Sequence, residues 1–254
     1  MQVVVLVKYV PDPTGTPRLG EDHLVQREGD GALDPGDEYA VEAALRLVEA
    51  DEGEVTLLTM GPEGATTAIR RGLSMGAHRG VHVTDPALRG SDTLGTAKVL
   101  AAAIGRQPFD LVLSGVESTD GYTGTLPMAV AELLGVPSAT FARTIEVTDG
   151  ALRIERQTDL GYDVVEAPLP ALATITGSGA EPRYPTLKGI MAAKSKPVEQ
   201  LSLNDLGLSE GDVAPSQRVL TVTATTEKGP GEVIQAGDDA ARRIADLLSD
   251  AKVI

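Results

Sequence analysis

The sequence contains no cysteine, which removes disulfides, thiol redox catalysis, cysteine-ligated zinc and cysteine-ligated iron–sulfur clusters in one step. Any redox role must therefore borrow a cofactor. Histidine is almost as scarce: His23, His78 and His82 are the complete set. His78 and His82 flank the start of a predicted strand rather than sharing a helix, so no metal site is expected. Cations are also in short supply. Twenty-two Lys and Arg stand against 37 Asp and Glu, a formal net charge of −15, and nucleic acid is gripped by clustered positive charge. The excess acid is expected to be solvated surface. Long apolar runs are missing too. The opening stretch Val3 to Val7 is too short for a signal-peptide core or a membrane span, and Lys8 and Pro11 end it. No Arg-rich transit segment precedes it. The protein is expected to stay in the compartment where it is made, without membrane insertion, and the missing cysteine fits a reducing one.

What the 254 residues do contain is 42% hydrophobic side chains, enough for one large α/β core or two modest ones. Residues 3–8 read as a strand buried on both faces. Pro11 to Gly36 is crowded with Gly, Pro and Asp, as in a long excursion or a small hairpin. Tyr39, Ala40, Ala43, Ala44, Leu47 and Val48 repeat at helical spacing behind the acids Asp37 and Glu38. Strands at Val55–Thr59, Gly80–Thr84 and Phe109–Ser114 alternate with helices at Ala65–Gly76 and Asp92–Ile104. Four strands separated by three helices predict an α/β fold with a parallel, doubly wound, Rossmann-like sheet.

After a helix near Gly124–Leu134 the pattern changes. Thr140–Val147, Ala151–Thr158, Asp163–Glu166 and Leu172–Thr176 are linked by Asp149-Gly150 and Gly161, a hairpin signal. These read as an antiparallel extension, residues 140–176, of a nucleotide-binding domain spanning residues 1–177. Residues 178–254 read as an extended arm with a short helix near Thr186–Lys194 and a last amphipathic helix from about Asp238 to Leu248. The arm has too little apolar content for a core of its own, and a partner polypeptide is expected to cover it. The other reading packs it back on its own domain.

In open α/β sheets ligands bind beyond the carboxyl ends of the strands, where strand order reverses. Three loops leave such ends: one carrying Val10-Pro11-Asp12, one Met60-Gly61-Pro62, and one Gly115 to Gly124. The third leads three glycines with Ser, Thr and Asp into a helix start, which suits backbone N–H contacts to a phosphate. It is not a Walker loop, and no Gly-x-Gly-x-x-Gly follows the first strand. Spacing alone leaves both a phosphate site and an ordinary glycine-rich turn open. Asp34, Glu38, Glu117 and Asp120 read first as caps or solvated acids, then as groups for ligand hydroxyls. No carboxylate has a nucleophile or base beside it in a recognisable pattern, so no catalytic residue is expected.

Four stretches carry a resemblance: Val7-Lys8-Tyr9-Val10-Pro11-Asp12, Leu33 to Ala44, Arg71 to Gly80, and Glu181-Pro182-Arg183-Tyr184-Pro185-Thr186-Leu187-Lys188-Gly189-Ile190-Met191-Ala192-Ala193-Lys194. Together they resemble the electron transfer flavoprotein β subunit over almost the whole chain, and the last string has no generic structural explanation. The resemblance implies an adenine nucleotide α-hydrolase-like fold. It implies an electron carrier, not an enzyme, in a bacterial cytoplasm, paired with a larger α subunit that holds most of the FAD site. The β subunit of the family buries a structural AMP. That site would map to Leu6, Asp34, Pro35, Gly36, Asp37, Met60, Gly115, Asp120, Gly121, Tyr122, Thr123, Gly124 and Thr125, with Gly121, Thr123 and Gly124 facing phosphate. The family's docking segment would map to Pro182, Arg183, Tyr184, Thr186, Leu187, Ile190 and Met191, with Leu187 as apolar anchor. It would dock acyl-CoA dehydrogenases and related flavoenzymes, and the electrons would pass to a quinone oxidoreductase.

Two rivals remain at this point. A flavin-bifurcating family member would carry a second FAD in place of AMP. A stand-alone adenine-nucleotide-binding module would need no α subunit at all.

Overall fold

Val3, Val4 and Val5 send alternate side chains to opposite sides of one strand, and both sides are covered, so polar residues are excluded from it. In the computed structural model, which describes residues 1–12, 14–16, 18–27, 29, 31–50, 52–179, 181–223, 231 and 233–254, this strand is β1 (Gln2–Leu6). A two-stranded antiparallel hairpin, β2 (Tyr9–Pro11) and β3 (Gly31–Leu33), follows. Helix α1 (Pro35–Ala50) leads to β4 (Glu54–Met60), and α2 (Thr66–Met75) leads to β5 (Arg79–Val83). Helix α3 (Thr93–Ile104) then returns the chain to β6 (Leu111–Gly115), on the far side of β1. Strand order therefore reverses between β1 and β6, which opens a crevice beyond their carboxyl ends.

Helix α4 (Leu126–Leu134) precedes β7 (Ser138–Thr148), β8 (Ala151–Thr158), β9 (Gly161–Pro168) and β10 (Ala171–Ile175). Helix α5 (Leu187–Ala193), β11 (Val198–Leu201) and the short α6 (Glu210–Val213) complete the first compact unit, Met1–Arg218. The sheet has nine strands in the order β11-β5-β4-β1-β6-β10-β7-β8-β9. The second unit, Val219–Ile254, holds α7 (Ala240–Asp250), on which Ile244, Leu247 and Leu248 are exposed.

Two cores clamp the sheet. On one face Val3, Val5 and Leu57 pack with Val41 and Leu45 of α1 and Ile69 and Leu73 of α2. On the other, Val4, Leu6, Leu58 and Val83 pack with Leu100 and Ile104 of α3 and Val130 of α4. Each such fully buried aliphatic side chain stabilises the fold by about 1.5–3 kcal/mol relative to exposure.

The doubly wound α/β prediction agrees with this sheet, and the Asp149-Gly150 hairpin is present. Both turn residues have positive φ, 52° and 77°, the geometry that a two-residue type I′ turn requires. The strand directions need correction. β7 runs antiparallel to β8 but parallel to β10, and β10 runs parallel to β6. The turn signal is local and fixes only the partner across the hairpin. What marks β10 is that all five of its residues are buried, the burial of a strand covered on both faces. Strand β11 was not anticipated either. It places Glu199 and Gln200 on the surface at the sheet edge and pairs parallel with β5, so residues 178–218 belong to the same compact unit as the sheet. No helix among the described residues is long and apolar enough to cross a membrane.

Candidate functional site

Asp34 initiates α1. It stands just before Pro35, whose missing N–H is no loss at a first helical position, and its Oδ1 accepts the Gly36 amide at 2.8 Å. The other oxygen leaves the helix. Asp34 Oδ2 accepts from the Thr119 amide at 2.7 Å and from the Thr119 hydroxyl at 2.8 Å, and the Asp34 side chain is wholly buried. The loop before α1 is thereby tied to the loop after β6.

Asp37, one turn on, makes the second tie. Its Oδ2 accepts the Lys8 amide at 2.7 Å and its Oδ1 the Gly115 amide at 3.2 Å, so the ends of β1 and β6 meet on one carboxyl group. Burial first, and then the Asp34 charge beside it, push the Asp37 carboxyl up to about 8, against the two amides that hold it down. A Cβ on Gly115 would lie 2.9 Å from Asp37 Oδ1 and 3.2 Å from the Gly36 carbonyl carbon, so only glycine fits this approach.

The third tie is ionic. Asp120 takes Lys8 Nζ at 2.6 Å on one oxygen and Arg27 at 2.6 Å on the other, while Lys8 Nζ also donates to Ser118 Oγ at 3.0 Å. Burial raises the Asp120 carboxyl, but the two cations outweigh it and hold it below the ordinary carboxylate range. Two cations thus share one carboxylate, while the Glu117 carboxylate lies beside Gly124 in the same loop.

These ties set the shape of residues 116–125. The Gly121 and Tyr122 amides both donate to the Ser118 carbonyl, at 3.3 and 2.9 Å. The Gly121 amide thus closes the loop on itself. Tyr122 and Gly124 have φ of 47° and 60°, and a positive φ at tyrosine is a strained position, held by its surroundings. Among the described residues nothing accepts from the amides of Thr123, Gly124, Thr125 or Leu126. Thr125 caps α4 without a side-chain hydrogen bond, so the positive end of that helix is open. Leu6 and Met60, by contrast, pack into the α3 and α4 core and form the floor of the rim.

The docking candidates divide. Arg183 faces inward, pairing with Glu42 at 2.7 Å and Glu49 at 2.5 Å on α1. Thr186 caps α5 by accepting the Gly189 amide at 3.0 Å. Tyr184 and Leu187 are 83% and 78% exposed, and Ile190 and Met191 stand out beside them. Leu187 is thus no core contact. Gly189 approaches α2 so closely that a Cβ there would meet the Ser74 carbonyl oxygen at 2.4 Å. Arg70 donates to the Ala193 and Lys196 carbonyls at 2.6 and 2.8 Å, and Lys196 Nζ donates to the Leu73, Gly76 and Ala77 carbonyls at 3.0, 3.3 and 2.6 Å. Each cation closes the carboxyl end of the neighbouring helix.

The histidines do other work. His78 Nδ1 accepts the Val55 amide at 3.0 Å, and the His82 ring lies between the Gly61 carbonyl and the Thr66 hydroxyl. No metal-holding group of His, Asp and Glu occurs among the described residues.

Residues 22–206 match the family model described as the electron transfer flavoprotein domain. The chain belongs to the electron transfer flavoprotein family. Among its relatives, the protein named electron transfer flavoprotein subunit beta from Mycobacterium leprae (strain TN) is 42% identical over 263 aligned residues, covering 99% of each chain. The proteins of the same name from Mycobacterium tuberculosis (strain ATCC 25618 / H37Rv) and Thermoanaerobacterium thermosaccharolyticum are 41% and 34% identical, covering 99% and 100% of each chain.

For this member of the family, sequence reasoning missed Lys8, Arg27 and Thr119 at the rim, and Glu42, Glu49 and Arg70 beneath the docking segment. Lys8 carried a usable signal, a cation placed directly after a buried strand at the switch point. Arg27 and Arg70 carried none, because their partners lie 93 and at least 123 positions away.

Proposed function

We propose that this chain is the β subunit of a heterodimeric electron transfer flavoprotein that holds AMP at the β1/β6 rim. The observation that carries the reading is the row of open amides from Thr123 to Leu126 at the start of α4, in the loop whose Asp120 holds the cations Lys8 and Arg27. Backbone N–H groups at a helix start, a cation and glycines that admit close approach are what a phosphate needs. Asp34, Asp37 and Gly115 do not touch the nucleotide in this reading; they brace the three loops that do, with Leu6 and Met60 beneath. The AMP is structural in this reading.

FAD, when bound, supplies the redox chemistry, and the α subunit holds most of it. The work of this chain in this reading is binding and positioning, because the redox chemistry belongs to the cofactor. Electrons come from acyl-CoA dehydrogenases and related flavoenzymes, docked through Leu187 with Tyr184, Ile190 and Met191 around it, and leave to a quinone oxidoreductase. One apolar anchor within a polar rim gives register with modest affinity, as transient contacts require. The second unit, with Ile244, Leu247 and Leu248 on α7, is the arm offered to the α subunit. The pair works in the cytoplasm.

The test is co-expression with the α subunit. A yellow heterodimer whose flavin is reduced by an acyl-CoA dehydrogenase and its substrate is the expected result. A chain that runs alone on gel filtration and binds ATP without the α subunit would leave the stand-alone module in its place.

A further inference from the structure

Arg183 lies inside the segment assigned to docking, yet its guanidinium is committed to two carboxylates of α1. Glu42 and Glu49 are seven residues apart on α1, two turns along one face. The Arg183 fork spans both: Nε donates to Glu42 Oε2 at 2.7 Å, Nη1 to Glu49 Oε1 at 2.5 Å, and Nη2 to Glu49 Oε2 at 3.0 Å. Nη2 also reaches Glu42 Oε1 at 3.4 Å, and the Arg183 amide adds a bond to Glu42 Oε2 at 3.2 Å. Glu42 is almost fully buried, and its remaining oxygen takes Arg46 at 2.6 Å. Burial opposes its charge, but Arg183 and Arg46 outweigh that and lower its carboxyl below the ordinary range.

The other end of the segment is fixed independently, by Arg70 on the Ala193 and Lys196 carbonyls and by Lys196 on the end of α2. Residues 184–192 are therefore a short span held between two clamps, one on each of two neighbouring core helices. Only the Arg183 clamp adjoins Tyr184 and Leu187.

We propose that Arg183 is the positioning residue of the docking segment: by bridging Glu42 and Glu49 it fixes the orientation in which Tyr184 and Leu187 meet the donor flavoenzyme. The inference rests on the docking reading above. A planar two-carboxylate bridge is not reproduced by lysine, which offers a point charge and no fork.

The test uses the co-purified heterodimer, with flavin reduction followed against increasing concentrations of an acyl-CoA dehydrogenase and its substrate. Arg183→Gln is expected to raise the half-saturating dehydrogenase concentration about tenfold, with the maximal rate within about twofold, and Arg183→Lys to fall between it and the wild type. Amide hydrogen exchange across residues 184–191 should quicken in the same order, while FAD and AMP contents stay as in the wild type. The double variant Glu42→Gln/Glu49→Gln keeps Arg183 and should reproduce the defect; should the double change fail to fold, Glu49→Gln alone should give part of it. If the glutamate variants dock like the wild type while Arg183→Gln does not, Arg183 touches the donor directly and the inference is overturned. It is also overturned if Arg183→Gln docks normally while Leu187→Ala raises the half-saturation. Normal docking by Leu187→Ala would sink the docking reading itself, whatever Arg183 does.

Discussion

The Asp34 carboxylate accepts two hydrogen bonds from Thr119, one from the amide at 2.7 Å and one from the hydroxyl at 2.8 Å, across 85 positions of sequence. With its other oxygen on Gly36, Asp34 serves at once as helix cap and loop anchor. Asp34→Ala leaves a buried amide unpaired as well as an uncapped helix. A loss of about 1–3 kcal/mol is expected, together with lower AMP content in the purified heterodimer. Chemical denaturation and nucleotide extraction measure the two; a destabilised variant with full AMP content would confine Asp34 to a fold role.

Lys8 and Arg27 share the Asp120 carboxylate, which cannot balance both. Lys8→Met removes one of the two cations. The dissociation constant for AMP is expected to rise about tenfold, with weaker dependence on salt than in the wild type. Calorimetric titration at two ionic strengths checks this, and an unchanged affinity would remove Lys8 from the site.

Asp37 gives a pH dependence with a definite sign. Burial pushes its carboxyl up to about 8 in the fold, well above the ordinary carboxylate value, so the native state keeps a proton that the unfolded chain releases. The contribution is fully present below about pH 4 and is lost as pH rises through about 8. Asp37→Asn has no such proton. Relative to this variant, the wild-type Tm should fall progressively between pH 5 and pH 8; parallel Tm curves would contradict the assignment.

Gly115→Ala tests the closeness of β6 to α1. The added methyl must displace the Asp37 carboxyl or the Gly36 backbone, at a cost of about 1–3 kcal/mol. Because the same shift disturbs the amides at the rim, AMP content should fall with stability, as thermal unfolding and nucleotide extraction would measure. Full stability would mean that the approach relaxes freely.

How far the sequence carried depended on the range of each interaction. The run Val3 to Val5, the helical spacing of Ala40, Ala44 and Leu47, and the Asp149-Gly150 turn are local, and each element stands close to where its pattern put it. The parallel pairing of β7 with β10 is not local, since it depends on a strand that returns after two others have been laid down. Of the candidate residues, Asp34 was legible as a cap because a proline and a helix follow it at once. Its bond to Thr119 was not, and neither was the Arg183 bridge to Glu42 and Glu49. In those cases the sequence shows a charge, and only the fold shows its partner. The Gly121 bond to the Ser118 carbonyl was not legible for a related reason: glycine permits an outward N–H but does not prevent the loop from using it.

The central claim is that the rim between β1 and β6 holds an adenosine monophosphate while the flavin belongs to the shared heterodimer. Acid release and chromatographic quantification of the nucleotides in the purified α–β complex test it most directly. The account predicts one FAD and one AMP per heterodimer. Two FAD with no AMP, or no adenine nucleotide beyond a single FAD, would contradict it.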